Sequence, residues 1–244
     1  GNSLHSGSDA FHNKVWDVIS VKDHNITLSV TSPDGEGGFP GNLTCEVVFT
    51  LTEENELIVN YTAQTDQDTV VNLTNHAYFN LNGEGTGSVL KHKVRINADE
   101  FVPINTACIP KGFFDTVSNT PFDFRETKAI AKDIDVDNEQ LKFGNGYDHS
   151  FAINQTELIN FAGSAKGDQT GLTLEVYTTE PGMQFYTGNY LNGHIGKSGA
   201  PYYARTGFCF ETQHHPDSPN NPNFSSTVLK AGEEFKSTTV YKVF

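Results

Sequence analysis

Leu43-Thr-Cys-Glu-Val-Val-Phe-Thr-Leu51 and Glu56-Leu-Ile-Val-Asn-Tyr-Thr-Ala63 are the stretches that decide the fold class. In the second, Leu57, Val59, Tyr61 and Ala63 alternate with Ile58, Asn60 and Thr62. A period of two sends the two sets of side chains to opposite faces of a strand. The two runs are joined at Glu53-Glu54-Asn55, so the pair reads as a β-hairpin.

Similar short runs lie at 27–31, 70–75, 92–98, 172–178, 208–212 and 237–244, each bounded by Gly, Asn, Asp or Pro. Pro33-Asp34-Gly35, followed by Glu36-Gly37-Gly38, is a turn between two strands: proline fixes φ and glycine supplies a positive φ. Helical periodicity is weak. Its best stretch, near Glu126 to Ile134, is too short to build a layer. Many strands at short spacing predict an all-β chain, a large antiparallel β-sandwich. No internal repeat, low-complexity tract or linker interrupts it, so residues 1–244 read as a single domain.

Composition narrows the function. The chain of 244 residues carries 30 acidic and 16 basic side chains, a formal charge of -14. Such a surface repels phosphate backbones and anionic lipid, which excludes nucleic acid and membrane as natural partners. No apolar run reaches the ~20 residues of a membrane-spanning helix. The only arginines are Arg95, Arg125 and Arg205, which argues against a phosphorylated substrate. Cys45, Cys108 and Cys209 fit a reducing compartment, or one disulfide plus a free thiol, and no metal-binding CxxC occurs. Six N-x-S/T sequons (Asn25, Asn42, Asn60, Asn72, Asn154, Asn223) pull toward a secreted or periplasmic location. Localisation therefore stays open, with the cytoplasm as default.

Titratable residues concentrate in four segments: Asn2-Ser-Leu-His-Ser-Gly7, Val71-Asn-Leu-Thr-Asn-His-Ala-Tyr-Phe-Asn80, Gly144-Asn-Gly-Tyr-Asp-His-Ser-Phe151 and Gly207-Phe-Cys-Phe-Glu-Thr-Gln-His-His-Pro-Asp217. Glu211 follows Gly-Phe-Cys-Phe in a strand that otherwise reads as buried, and a buried carboxylate is costly without a partner. A paired core glutamate or an outward-facing edge residue would look the same. His76, at the end of a strand, titrates nearest neutrality and can give or take a proton; a hydrogen-bonded structural histidine is the plainer alternative. One glutamate and one histidine on neighbouring strands would make an acid/base pair. His214, His215 and Asp217 suggest a metal, but adjacent strand residues face opposite ways and rarely hold one ion. Asp148 with Glu211 could instead be a glycosidase carboxylate pair. Cys209 is a poor nucleophile, because apolar and electronegative surroundings raise a thiol pKa.

At these segments the chain resembles the galactose mutarotase (aldose 1-epimerase) family. The resemblance runs in colinear order through Asn2-Ser-Leu-His5, Thr31-Ser-Pro-Asp-Gly-Glu-Gly-Gly-Phe-Pro-Gly41, Val71-Asn-Leu-Thr-Asn-His-Ala-Tyr-Phe-Asn-Leu81, Gly146-Tyr-Asp-His149, Gly182-Met-Gln-Phe-Tyr-Thr-Gly-Asn189 and Phe210-Glu-Thr-Gln-His-His-Pro-Asp-Ser-Pro-Asn220. It implies a sandwich of the large mutarotase type, interconverting α and β anomers of free hexoses such as glucose or galactose. It implies His76 as general acid and Glu211 as general base, with His5, Asp148 and Gln184 holding sugar hydroxyls and no metal or organic cofactor. Tyr78, Phe185 and Tyr186 are candidates for stacking on the sugar.

Two departures stand out. Where the family often has Leu-His-Gly-Gly, this chain has Leu4-His5-Ser6-Gly7. The family also carries strands ahead of the Asn-Ser-Leu-His segment, with an arginine that contacts the sugar. The expectation is that such an N-terminal segment is needed to complete the fold. Two further readings are a hexose-6-phosphate epimerase and a non-catalytic sugar-binding relative.

Overall fold

The structure is a computed structural model that describes residues 2–244. The described chain packs into two compact units: residues 2–73 with 227–240, and residues 74–226 with 241–244. Each closes a core of its own.

The first unit opens with β1 (Asp17–Lys22), β2 (Asn25–Ser32), β3 (Leu43–Leu51), β4 (Glu56–Thr65) and β5 (Thr69–Val70). The β3–β4 hairpin has the expected register, with Cys45 opposite Ala63, Val47 opposite Tyr61 and Phe49 opposite Val59. Its turn closes through Thr52 N–H donating to the Glu56 carbonyl at 2.9 Å, with Asn55 in the left-handed region at φ 59°. Asparagine tolerates that conformation better than most residues. The inward face of the hairpin joins Val30, Val71 and Leu229 in a core flanked by Phe11, Trp16 and Phe235. Between β2 and β3 the Pro33-Asp34-Gly35 turn is pinned by Asp34 Oδ1, which accepts the Gly41 N–H at 2.7 Å.

The second unit contains β6 (Lys93–Ile96), β7 (Ala98–Phe101), β8 (Asp115–Thr116) and β9 (Lys128–Ala129). The one α-helix among the described residues, α1 (Glu139–Gly144), comes next. Then follow β10 (Asp148–Ile153), β11 (Asn160–Lys166), β12 (Thr173–Thr178), β13 (Gly182–Tyr186), β14 (Asn192–Ile195), β15 (Pro201–Tyr203) and β16 (Cys209–Gln213). The chain returns to the first unit for β17 (Val228–Leu229), paired with β5, and for most of β18 (Glu234–Val243).

Within the second unit the strands form an antiparallel row β12-β11-β6-β9 and a five-stranded sheet β16-β13-β10-β7-β8. The two face each other closely. A Cβ on Gly163 of β11 would come within 3.0 Å of Met183 Cε on β13 and within 2.8 Å of the Arg95 backbone carbonyl on β6, and it is the fixed carbonyl that favours glycine here. One face of the five-stranded sheet is lined by Phe151, Phe185 and Phe210, which pack with Phe122, Phe124, Tyr147 and Phe208 at centroid separations of 5.0–6.5 Å. Edge-to-face and tilted pairs of this kind add about 0.5–1.5 kcal/mol each beyond their burial. The fold is thus all-β and antiparallel, a sandwich, as expected. Among the described residues no helix is long and apolar enough to cross a membrane.

Three local expectations need correction. The stretch 126–134 is not α-helical: it holds β9 and a 3-10 helix of three residues at Ile130–Lys132. The helix lies later, capped by Asn138 Oδ1 accepting from Gln140 N and Leu141 N. At 70–75 the strand stops at Val70, because its partner β17 offers two residues. His76 therefore sits in an irregular segment rather than at a strand end.

Candidate active site

The opposite face of the five-stranded sheet is polar, and strand register explains why. Asp148, Tyr186 and Cys209 are cross-strand partners, as are Ser150, Gln184 and Glu211. With a period of two, all six fall on one face, while His149, Phe185 and Phe210 fall on the other. This disposes of Phe185 as a stacking residue: it is fully buried in the aromatic core.

Glu211 is 6% exposed. Burial, and secondarily the nearby Asp148 charge, push its carboxyl up to about 8. Asp148 is itself raised to about 6 by burial, opposed by a hydrogen bond from Gln184 Nε2 to its Oδ1 at 2.8 Å. The Gln184 amide oxygen is buried with no hydrogen-bond partner, an acceptor suited to a ligand hydroxyl.

His76 reaches this face from the irregular segment. Its Nε2 lies 3.6 Å from Glu211 Oε1 and its Nδ1 3.5 Å from Cys209 Sγ. The ring stacks on Tyr78 at 5.1 Å and meets Tyr186 edge-on at 6.2 Å. Local and tertiary bonds together hold the segment. Asn75 Oδ1 accepts the Ala77 N–H at 3.0 Å, and Phe79 exchanges backbone bonds with Phe208 at 2.8 and 3.0 Å. Asn80 Nδ2 donates to the carbonyls of Gly87 and Thr206, and Leu81 N–H donates to His92 Nε2 at 3.0 Å.

The second unit therefore brings together His76, Glu211, Asp148 and Gln184. His5 belongs to the first unit, in the left-handed region at φ 51°, with its ring 6.2 Å from that of His12. The Leu4–Gly7 turn places Ser6 at φ 62° as well, a conformation for which the more usual glycine is better suited.

The His214–His215 pair, just beyond the end of β16, divides between different partners. His214 Nδ1 is 2.6 Å from Glu180 Oε2, and His215 Nδ1 is 2.9 Å from Ser150 Oγ. Among the described residues, the group with donor atoms close enough for an ion is instead His76, Cys209 and Glu211, within 4.8 Å of one another. Cys209 is fully buried, and burial first, then Glu211 and Asp148, push its thiol well above the usual range, which fits its dismissal as a nucleophile. All three cysteines are free. Sequence reasoning left Tyr186 unplaced and did not connect Cys209 with His76. Alternation along β13 and β16 is the signal that puts both on the face of Glu211.

An antiparallel sandwich that gathers an imidazole, a carboxylate and an amide–carboxylate pair on one sheet face has the groups with which a protein can move protons on a small polar molecule. The aldose 1-epimerase family profile matches residues 1–242. Over 242 residues the chain is 44% identical to galactose mutarotase from Bos taurus, covering 99% of this chain and 69% of that protein. It is 38% identical to aldose 1-epimerase from Escherichia coli, covering 99% and 70%. Among solved structures, galactose 1-epimerase from Lactobacillus acidophilus superposes with a TM-score of 0.86 at 30% identity, covering 99% of this chain and 70% of that one. An aldose epimerase homologue from C. elegans gives 0.90 at 28%, covering 99% and 72%. The chain belongs to the aldose 1-epimerase family.

Proposed function

We infer that this protein is an aldose 1-epimerase that interconverts the α and β anomers of free hexoses such as glucose and galactose. The observation that carries the reading is the placement of His76 Nε2 beside Glu211 Oε1, 3.6 Å apart on a polar sheet face. The two oxygens that exchange protons in mutarotation, the C1 hydroxyl and the ring oxygen, are bonded to the same carbon. An acid and a base side by side suit that demand. Glycosidases place a pair of carboxyl groups about 5 Å or more apart, whereas here the group beside Glu211 is an imidazole.

Glu211, ionised, takes the C1 hydroxyl proton while His76, protonated, gives one to the ring oxygen. The C1–O5 bond breaks, the aldehyde forms, and the C1–C2 bond rotates. Closure on the other face reverses both transfers. Asp148 and Gln184, tied to each other, hold hydroxyls of the part of the sugar that does not turn, and the unpartnered Gln184 carbonyl receives one of them. Tyr78 and Tyr186, packed around His76, give the ring an aromatic wall. His5 is assigned to sugar binding on the family motif alone. Both units are taken as parts of one mutarotase-type domain, because the family match spans them.

A phosphorylated hexose is a poorer fit. Arg125 is held by Asp123 and Asp99, Arg205 by Asp135, and Arg95 Nε donates to the Arg125 carbonyl. Polarimetry of freshly dissolved α-glucose and α-galactose tests the function. The protein accelerates the optical change, and Glu211→Ala and His76→Ala each abolish the acceleration; full activity in both variants overturns the acid/base roles.

A further inference from the structure

We propose that His76, Cys209 and Glu211 together form a binding site for a thiophilic divalent cation of the Zn2+ class, and that this cation shuts the sugar out.

The donor set is one imidazole nitrogen, one sulfur and one carboxylate oxygen, all within 4.8 Å of one another. Zinc takes about 2.0–2.1 Å to nitrogen, 2.3 Å to sulfur and 2.0–2.2 Å to oxygen, so tetrahedral ligand atoms stand roughly 3.3–3.6 Å apart. The Cys209 Sγ–His76 Nδ1 distance is 3.5 Å and the His76 Nε2–Glu211 Oε1 distance is 3.6 Å. These two distances run to different ring nitrogens; with one ligand atom per residue the three lie within 4.8 Å of one another, so the His76 ring must shift for one nitrogen to serve the ion together with both neighbours. Three protein ligands leave the fourth position for water, the pattern of an open zinc site. A sulfur ligand beside nitrogen and oxygen selects Zn2+ or Cd2+ over Mg2+ or Ca2+.

Surroundings and access agree with the donor set. Asp148 adds a second carboxyl to the same face. His76 is 31% exposed at its side chain, so a cation approaches from its side and meets the two buried ligands beneath. Binding releases the Cys209 thiol proton to solvent and transfers no electrons. Ligation stands on this geometry; the exclusion of sugar rests on the acid/base reading above, since the cation would occupy both proton-transfer groups.

The test uses the protein carrying Cys108→Ser, because Cys108 is an exposed thiol that would ligate metal by itself. Titration with Cd2+ gives an ultraviolet thiolate-to-metal charge-transfer band that saturates at one ion per chain. The band is lost on adding Cys209→Ser and weakened by Glu211→Gln. In polarimetry Zn2+ inhibits competitively with sugar, a chelator restores the rate, and Cys209→Ser raises the inhibitory Zn2+ concentration at least ~10-fold, each variant normalised to its own metal-free rate. Absence of the band, its persistence after Cys209→Ser, or unchanged Zn2+ inhibition in that variant overturns the site. A band without mutarotation by the metal-free protein supports the site and overturns the acid/base reading. Mutarotation without a band does the reverse.

Discussion

Glu211 and His76 sit 3.6 Å apart, yet the chain positions them by opposite means. Glu211 rides on β16, where the ladder to β13 fixes its face and depth: Gln184 lies opposite it and Phe185 opposite its neighbour Phe210. His76 belongs to a segment without a ladder, held by Asn75, Asn80, the Phe79–Phe208 bridge and the His92 ring. A strand places a side chain through backbone bonds that any sequence of suitable pattern makes. An irregular segment needs particular side chains at particular distances, so its precision is more easily lost.

The largest expected effects fall on the pair itself. Replacing either His76 or Glu211 with alanine should lower kcat about 10^2–10^4-fold in polarimetric assays. The comparison predicts that their stability effects diverge. Glu211 is buried with a raised carboxyl, so Glu211→Gln should stabilise the fold at pH 8 by roughly 2 kcal/mol in denaturant titrations, while abolishing activity. A loss of stability at that pH would mean the glutamate is better accommodated than its burial indicates.

The sign follows from proton binding. Glu211 and Asp148 are raised above 4.5 and 3.8 to about 8 and about 6, so the folded protein keeps protons that the unfolded chain has released. Their contribution to stability is full below the unfolded values and is lost as pH rises through about 6 and then about 8. Thermal melts between pH 5 and 8.5 should show that decline in the parent, and a smaller one in Glu211→Gln. Because Asp148 helps to raise Glu211, Asp148→Asn should move the ascending limb of kcat/KM to lower pH as it raises KM.

Loosening the irregular segment gives a smaller effect. Asn80→Ala removes the bonds its Nδ2 donates to the Gly87 and Thr206 carbonyls and those its Oδ1 accepts from Asn82 N–H and Thr86 Oγ1, and should cost about 1–3 kcal/mol of stability. It should also lower kcat more than a comparable loss far from the site, because His76 is four residues upstream. If kcat held while stability fell, the tethers would be structural only. Smallest of all, Ser6→Gly should stabilise the first unit by ~0.5–1 kcal/mol, since Ser6 is in the left-handed region.

What the sequence determined by itself was whatever repeats at a short, regular period. The alternation through 57–63 set the β3–β4 register, and the apolar run around Glu211 marked β16 and the buried carboxylate within it. Colinear motifs marked His76, Asp148 and Gln184, which the second unit does bring together. The six-residue helix α1 was missed because fewer than two turns carry no period to detect, and the strand expected through 75 stopped where its partner ended. Tertiary structure alone decided that His76 leaves the ladder and that its ring lies against Cys209; alternation turns Phe185 and Tyr186 to opposite faces of β13, and packing decided which face is the core and which the site. The physical reason is range. A strand's faces are fixed by neighbours two residues away, whereas the position of His76 depends on partners more than a hundred residues distant, at Thr206 and Phe208.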